Sequence, residues 1–246
     1  MTEIALSPDI RQHRGAHPTD KFLFSEDQLP VLREAVTELS WLLTRRYTLA
    51  SSLKLVGDRH RLSARQRQAV SRAACSDKSL DRRRDHCVAL EEIKNEKVLV
   101  DGFNLIITVE AALSGAMLLL CRDSCMRDLA SVHGSYRSVQ ETESAIGLIG
   151  EGLETFRPAA VTWLLDRPIS NSGRLARKIL DVAAEHSWPW SVAVLFNPDT
   201  TIISSLSIAI TSDGSILDHV WRWVNLKSYL VEHYLPQTSI LDLSKC

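Results

Sequence analysis

Apolar positions change their period near residue 95. Before that point Leu32, Ala35, Val36, Leu39, Leu42 and Leu43 recur at helical spacing and predict an amphipathic helix beginning near residue 29. A second helix is predicted over residues 47–55, ended by Gly57. Ser63 with Gln66 has the form of a capping box, opening a third helix that carries Arg65, Arg67, Ala69, Val70 and Ala73. Residues 1–28 form a polar lead-in without a clear period. From residue 94 onward, short apolar runs at 98–100, 117–121, 160–165, 190–196 and 207–211 predict strands. Helical stretches at 104–113, 138–156 and 173–185 separate them. This alternation implies a parallel sheet with right-handed crossovers. The expected architecture is therefore α/β, a Rossmann-like parallel sheet with flanking helices over residues 94–246. A basic all-α domain over residues 29–93 precedes it.

Three of the predicted strands end in a carboxylate, at Asp101, Asp166 and Asp213. In an open parallel sheet the carboxyl ends of the strands form one edge, where ligands bind. Like charges gathered there raise one another's pKa unless a cation neutralises them, and hard oxygens suit Mg²⁺ or Mn²⁺. Asp123, which follows the 117–121 run, is a fourth candidate ligand, and Asn104 is placed to position a water or a phosphate. The competing reading is helix capping, because an aspartate after a strand commonly caps the helix that follows. Repetition and the Asp101-Gly102-Phe103-Asn104 context favour the metal.

Charge adds a second element. Twelve Lys or Arg stand against three Asp between Arg45 and Arg84, a local +9, so the rest of the chain carries −10 of the net −1. Such a block suits phosphate contacts through Arg59, Arg61, Arg65, Arg67 and Arg72, and is equally compatible with a solvated helical face. Ser170, Asn171, Ser172 and Gly173 with Arg174 could receive a phosphate beside Asp166 at a helix N-terminus, or simply cap that helix. Ser172 is read as a cap and Asn171 and Arg174 as ligand contacts. Trp221 and Trp223, flanked by Val220 and Val224, read as packing residues ahead of base-stacking ones. His133, Ser135 and Tyr136 form no nucleophile arrangement.

The longest nearly apolar stretch, residues 111–121, is too short to span a bilayer, and the first residues lack the basic-then-apolar run of a signal peptide. A cytoplasmic location is expected. Five cysteines without framework spacing agree with a reducing compartment, and the spacings of Cys75, Cys87, Cys121 and Cys125 match no common zinc module.

Residues 100–104, the mid-chain strand ending in Asp166, and Thr211-Ser212-Asp213 together resemble the PIN-like superfamily, particularly its NYN branch of metal-dependent ribonucleases. The whole chain is similar to a prokaryotic family in which a basic helical domain of unknown function precedes a PIN-like domain. The resemblance implies a Rossmann-like fold, a carboxylate cluster binding Mg²⁺ or Mn²⁺, and RNA as substrate. It carries over to Asp101 first, then to Asn104 and Asp213, then to Asp166. Asp128 and Glu110 orient neighbours in this reading. The chain departs from the pattern after Asp123, where Ser124 and Cys125 stand in place of glycine. The expected function is a metal-dependent RNA nuclease. The alternatives are a non-catalytic nucleic-acid- or protein-binding regulatory module, and a phosphatase or nucleotide-binding protein, which also places aspartates at strand ends.

Overall fold

The computed structural model describes residues 14–130 and 136–245. Helices Asp20–Leu23 (α1), Leu29–Thr44 (α2), Leu49–Arg59 (α3), Ala64–Ala73 (α4) and Asp77–His86 (α5) make up the N-terminal part. Local chemistry sets their starts: Thr48, Ser63 and Ser76 each accept a backbone N–H three residues on. At α4 the box is complete, with the Gln66 side chain accepting from the Ser63 N–H at 3.0 Å.

The remainder alternates Lys97–Asp101 (β1), Gly102–Leu113 (α6), Leu118–Leu120 (β2), Met126–Arg127 (β3), Thr142–Phe156 (α7) and Ala160–Asp166 (β4). It continues through Ser172–Glu185 (α8), Trp190–Leu195 (β5), Pro198–Ser204 (α9), Ile208–Ile210 (β6), Gly214–Leu217 (α10), Trp223–Val224 (β7), Leu226–Tyr234 (α11) and Ile240–Asp242 (β8). Five strands form one sheet in the order β5-β4-β1-β6-β7, every neighbouring pair parallel. Chain order runs outward from β1 to β4 and β5, then returns to β6 on the other side. The switch point therefore lies between β1 and β6.

Helices cover both faces. Val98, Val100, Trp163, Leu165, Ile208 and Ile210 point into a core shared with α6, α7, α8 and α11. The alternate residues Leu99, Leu164, Ala193 and Ala209 meet Ile202, Ile216, Leu217 and Trp223 on the opposite face. Trp223 is a packing residue whose Nε1 donates to the Arg83 carbonyl at 2.8 Å, whereas Trp221 is exposed.

One predicted strand sits elsewhere. β2 joins β3 and β8 in a separate three-stranded sheet and does not extend the parallel one. Its Leu119, with Cys121, Leu129, Leu241 and Leu243, closes the core of Leu32, Val36, Leu39, Ala69 and Val70. The helices alone do not enclose that core. Burial of each such aliphatic side chain contributes roughly 2 kcal/mol, so this small sheet welds the two parts together. No helix among the described residues is long and apolar enough to cross a membrane.

Candidate functional site

The carboxyl edge of the parallel sheet carries the site. Register places Val100 opposite Ile210, so the next residues, Asp101 and Thr211, face each other across the switch point. The Thr211 hydroxyl donates to Asp101 Oδ2 at 2.7 Å. Gly102 lets α6 start at once: a Cβ there would lie 2.5 Å from Leu165 Cδ2 and 3.0 Å from the Leu164 carbonyl oxygen. Asn104, one turn into α6, uses its side-chain oxygen to accept from the Ser212 N–H at 2.9 Å, the Ser212 hydroxyl at 3.1 Å and Lys227 Nζ at 2.7 Å. That oxygen is saturated, and contact with a ligand falls to the Asn104 amide nitrogen.

Asp213 caps α10, its Oδ1 accepting from Ser215 and Ile216. Burial works against its charge, but those hydrogen bonds prevail and hold its carboxyl below the usual carboxylate range. Asp101 behaves in the opposite way. Burial raises its pKa to about 7, with Asp213 and Asp199 pushing the same way and Thr211 and Lys227 opposing. Asp166 is raised by burial and by Asp199, and Asp199 by burial and by Asp213. Four aspartates, from the ends of β1 and β4 and from the segments after β5 and β6, thus share one electrostatic environment. Asp199 is not apparent from the strand pattern because Phe196, Asn197 and Pro198 separate it from β5.

Lys227 is the other residue the linear pattern hides. It is 3 % exposed on α11, and its Nζ donates to Asn104 Oδ1, to Thr108 Oγ1 at 2.8 Å and to Ser212 Oγ at 2.7 Å. Burial lowers its pKa to about 8, opposed by the nearby Asp128 and Asp101 carboxylates. The available signal is a lysine in phase with Leu230 and Val231 on an otherwise apolar helix face.

Asp123 does not belong to this edge, because the strand before it lies in the other sheet. Its Oδ2 accepts from Arg83 at 2.7 Å and from Arg127 at 2.6 Å, and its Oδ1 accepts from Arg127 at 2.8 Å. With both oxygens so engaged and the side chain 1 % exposed, Asp123 is an ion-pair partner and not a metal ligand. The same two arginines brace the site loop: Arg127 Nε donates to the Ser212 carbonyl at 2.7 Å and Arg83 Nη2 to the Gly214 carbonyl at 3.1 Å.

The proposed phosphate-binding arginines divide. Arg65 clasps Asp20 through Nε at 2.5 Å and Nη2 at 2.8 Å, and Arg67 reaches Asp58 at 2.8 Å and the Leu62 carbonyl at 2.9 Å. Both are internal latches. Arg72 donates to the Asp128 and Ala130 carbonyls while lining a cleft of about 680 Å³ between the helices and the sheet edge. That cleft also meets Asn104 and Asp213. Arg59 pairs with Glu38 at 3.1 Å, and Arg61 is exposed.

Beside Asp166, Asn171 takes a left-handed conformation and its Nδ2 donates to the Tyr136 carbonyl at 2.7 Å, so it fastens a neighbouring segment. Ser172 does not cap α8; its hydroxyl donates back to the Asp166 and Ile169 carbonyls. Arg174 is exposed on the first turn. Glu110 is fully buried and accepts from Arg14, Tyr136 and Thr142, each at 2.5 Å, while Asp128 accepts from Thr108 at 2.7 Å. His133 and Ser135 lie outside the described residues. Cys75, Cys87, Cys121 and Cys125 are free thiols.

Among the described residues, the one group of three possible ligand atoms within 4.8 Å of one another is Glu34, Glu38 and His60 on the helical part. No three of the edge aspartates bring their ligand atoms that close together. Mg²⁺ needs no tighter cage, since it keeps several waters and is held by one or two carboxylates plus substrate phosphate. Hard oxygen donors and a central carboxylate raised by burial, with like charges adding to it, fit such an ion.

Fold and site together define an α/β protein with an acidic edge at the switch point of a parallel sheet. Residues 90–229, more than half of the chain, match the family described as Domain of unknown function (DUF5616), and the chain belongs to that family. Residues 31–86 match the family described as Protein of unknown function (DUF434). The chain is 30% identical over 204 residues to "Uncharacterized protein MJ0935" of Methanocaldococcus jannaschii, covering 82% of this chain and 97% of that relative. No solved structure matches the chain.

Proposed function

We propose that the protein is a divalent-metal-dependent nuclease acting on RNA phosphodiester bonds, with a PIN-like α/β domain and a helical part that helps to hold the polyanion. One observation carries the reading: Asp101, Asp166, Asp199 and Asp213 share the carboxyl edge across the β1/β6 switch point, where burial, with the charges of Asp213 and Asp199 adding to it, raises the Asp101 pKa to about 7. Asp101 and Asp213, with Asp166, are the residues that would hold Mg²⁺ or Mn²⁺. When bound, the ion supplies positive charge against a phosphodiester and acidifies a water.

The protein's own groups have separate tasks. Thr211 fixes the rotamer of Asp101 by its hydrogen bond. Asn104 and Ser212 lock the α6 start to the β6 loop, and the Asn104 amide nitrogen is the donor left for a phosphate oxygen. Arg72 supplies charge within the cleft, and the exposed Arg61 and Arg174 add positive charge to the protein surface, a long-range attraction that needs no base contact. A reducing, cytoplasmic setting belongs to the same proposal and accords with the free thiols.

A second reading, a non-catalytic nucleic-acid- or protein-binding module on the same fold, is favoured by the edge carboxylates forming no group of three with ligand atoms within 4.8 Å of one another. Incubation of end-labelled single-stranded and structured RNA with purified protein separates the two. Cleavage that requires Mn²⁺ and stops with a chelator supports the nuclease; binding without cleavage at any metal concentration supports the module.

A further inference from the structure

Lys227 is the residue of the site that the nuclease reading leaves without a task. All three of its ammonium donors go to neutral oxygens, those of Asn104, Thr108 and Ser212. No carboxylate touches it, and it is 3 % exposed. A lysine buried in this way loses its hydration without a contacting counter-charge, whereas methionine would pack on α11 beside Leu226, Leu230 and Val231 with no such penalty. The fold nevertheless keeps a positive charge here. Its larger through-space partner is Asp128, bridged to it by the Thr108 hydroxyl, and the next is Asp101 of the acidic edge, with Arg127 as the neighbouring like charge.

We infer that Lys227 is a built-in cation of the acidic edge: its fixed ammonium takes the electrostatic place of a second divalent ion, so the site takes a single metal ion. This inference rests on the nuclease reading. Two-metal sites bring their ions to about 3.5–4 Å from each other with shared carboxylates between them. A second divalent ion near Asn104 and Ser212 would meet an ammonium already bonded to both side chains. Lys227 is a positioning residue, because its Nζ is enclosed by protein atoms and does not reach the cleft.

The test counts Mn²⁺ ions bound per chain, by titration calorimetry and by the electron paramagnetic resonance signal of free Mn²⁺. The count is the number of ions lost on Asp101→Asn, which leaves out any ion held at Glu34, Glu38 and His60. One such ion is expected in the wild type. Lys227→Gln keeps a donor for Asn104 and Ser212 but removes the charge; it should bind a second ion, or bind the first at least tenfold more tightly. Lys227→Met serves as the second uncharged variant, and circular dichroism checks that both are folded. Two Asp101-dependent ions in the wild type would overturn the role of Lys227 and leave the nuclease reading standing. No Asp101-dependent ion would overturn both. Unchanged Mn²⁺ number and affinity in a folded Lys227→Gln protein would reduce Lys227 to a hydrogen-bonding strut.

Discussion

Lys227 Nζ and Asn104 Oδ1 lie 2.7 Å apart although 123 positions separate the two residues in the chain. This bond joins α11 to the first turn of α6, and the same Asn104 oxygen also holds the Ser212 N–H. Asn104→Leu removes the acceptor from these two donors and from the Ser212 hydroxyl at once. Because a buried donor left unpaired loses its full solvation, the expected loss of stability is about 2–3 kcal/mol. Urea unfolding followed by fluorescence measures it, and a midpoint within error of wild type would mean that the link carries no load.

The Asp101 carboxyl has an ordinary value of 3.8 and a folded value of about 7. Between those two values the folded state binds more protons than the unfolded one, so stability falls as pH rises from about 4 to about 7. Asp166 and Asp199, also raised, reinforce the trend, while Asp213 and Asp123, both lowered, act below that window. Lys227 acts above it, relieving its buried charge as pH passes about 8. Asp101→Asn should therefore flatten the pH profile between pH 5 and pH 7.5 and raise the metal-free melting temperature near neutrality by a few degrees. Parallel wild-type and variant profiles in chelator would contradict the assignment.

Asp123 is shared by Arg83 and Arg127, and removal of its charge leaves the buried Arg127 guanidinium without a carboxylate and Arg83 with Asp218 alone, at 2.7 Å. Asp123→Asn is expected to lower stability by about 3–5 kcal/mol, the range for breaking a buried pair from one side. Glu143→Gln, which removes the exposed bridge to Lys178 at 3.3 Å, should cost under about 1 kcal/mol. Equal effects from the two substitutions would show that the Asp123 cluster is not structural.

Gly102 answers to steric crowding. Gly102→Ala drives a methyl group against the Leu164 carbonyl and the Leu165 side chain, and the expected destabilisation is about 1–3 kcal/mol. Gly147→Ala, on α7 with no atom within 4 Å of its added Cβ, is the control and should be neutral or stabilising in chemical denaturation.

What could be read from the chain alone follows interaction range. Val98–Val100 and Ala160–Asp166 announce their strands because a strand covered on both faces is apolar over successive residues, and Asp101 and Asp166 then fall at strand ends, whereas β6 stops at Ile210 and Asp213 lies three residues on, at the N-cap of α10. Arg65 and Arg67 looked free because their partners are set by folding: Asp20 is 45 positions from Arg65, and Asp58 belongs to a different helix from Arg67. Asp123 misled for a related reason, since the 117–121 run is a strand but its pairing with β8, over 100 residues later, puts it in another sheet. Lys227 was silent because a lysine in an amphipathic helix ordinarily faces water.

The most direct test is the single-turnover cleavage rate of labelled RNA at saturating Mn²⁺, comparing wild type with folded Asp101→Asn. An acidic edge that works through a bound ion predicts metal-dependent cleavage by the wild type and a loss of at least a hundredfold in the variant, the scale on which removing electrostatic stabilisation of the reacting phosphate acts. Cleavage at the same rate in both proteins, or none in wild type across Mn²⁺ and Mg²⁺ up to millimolar levels, would contradict it.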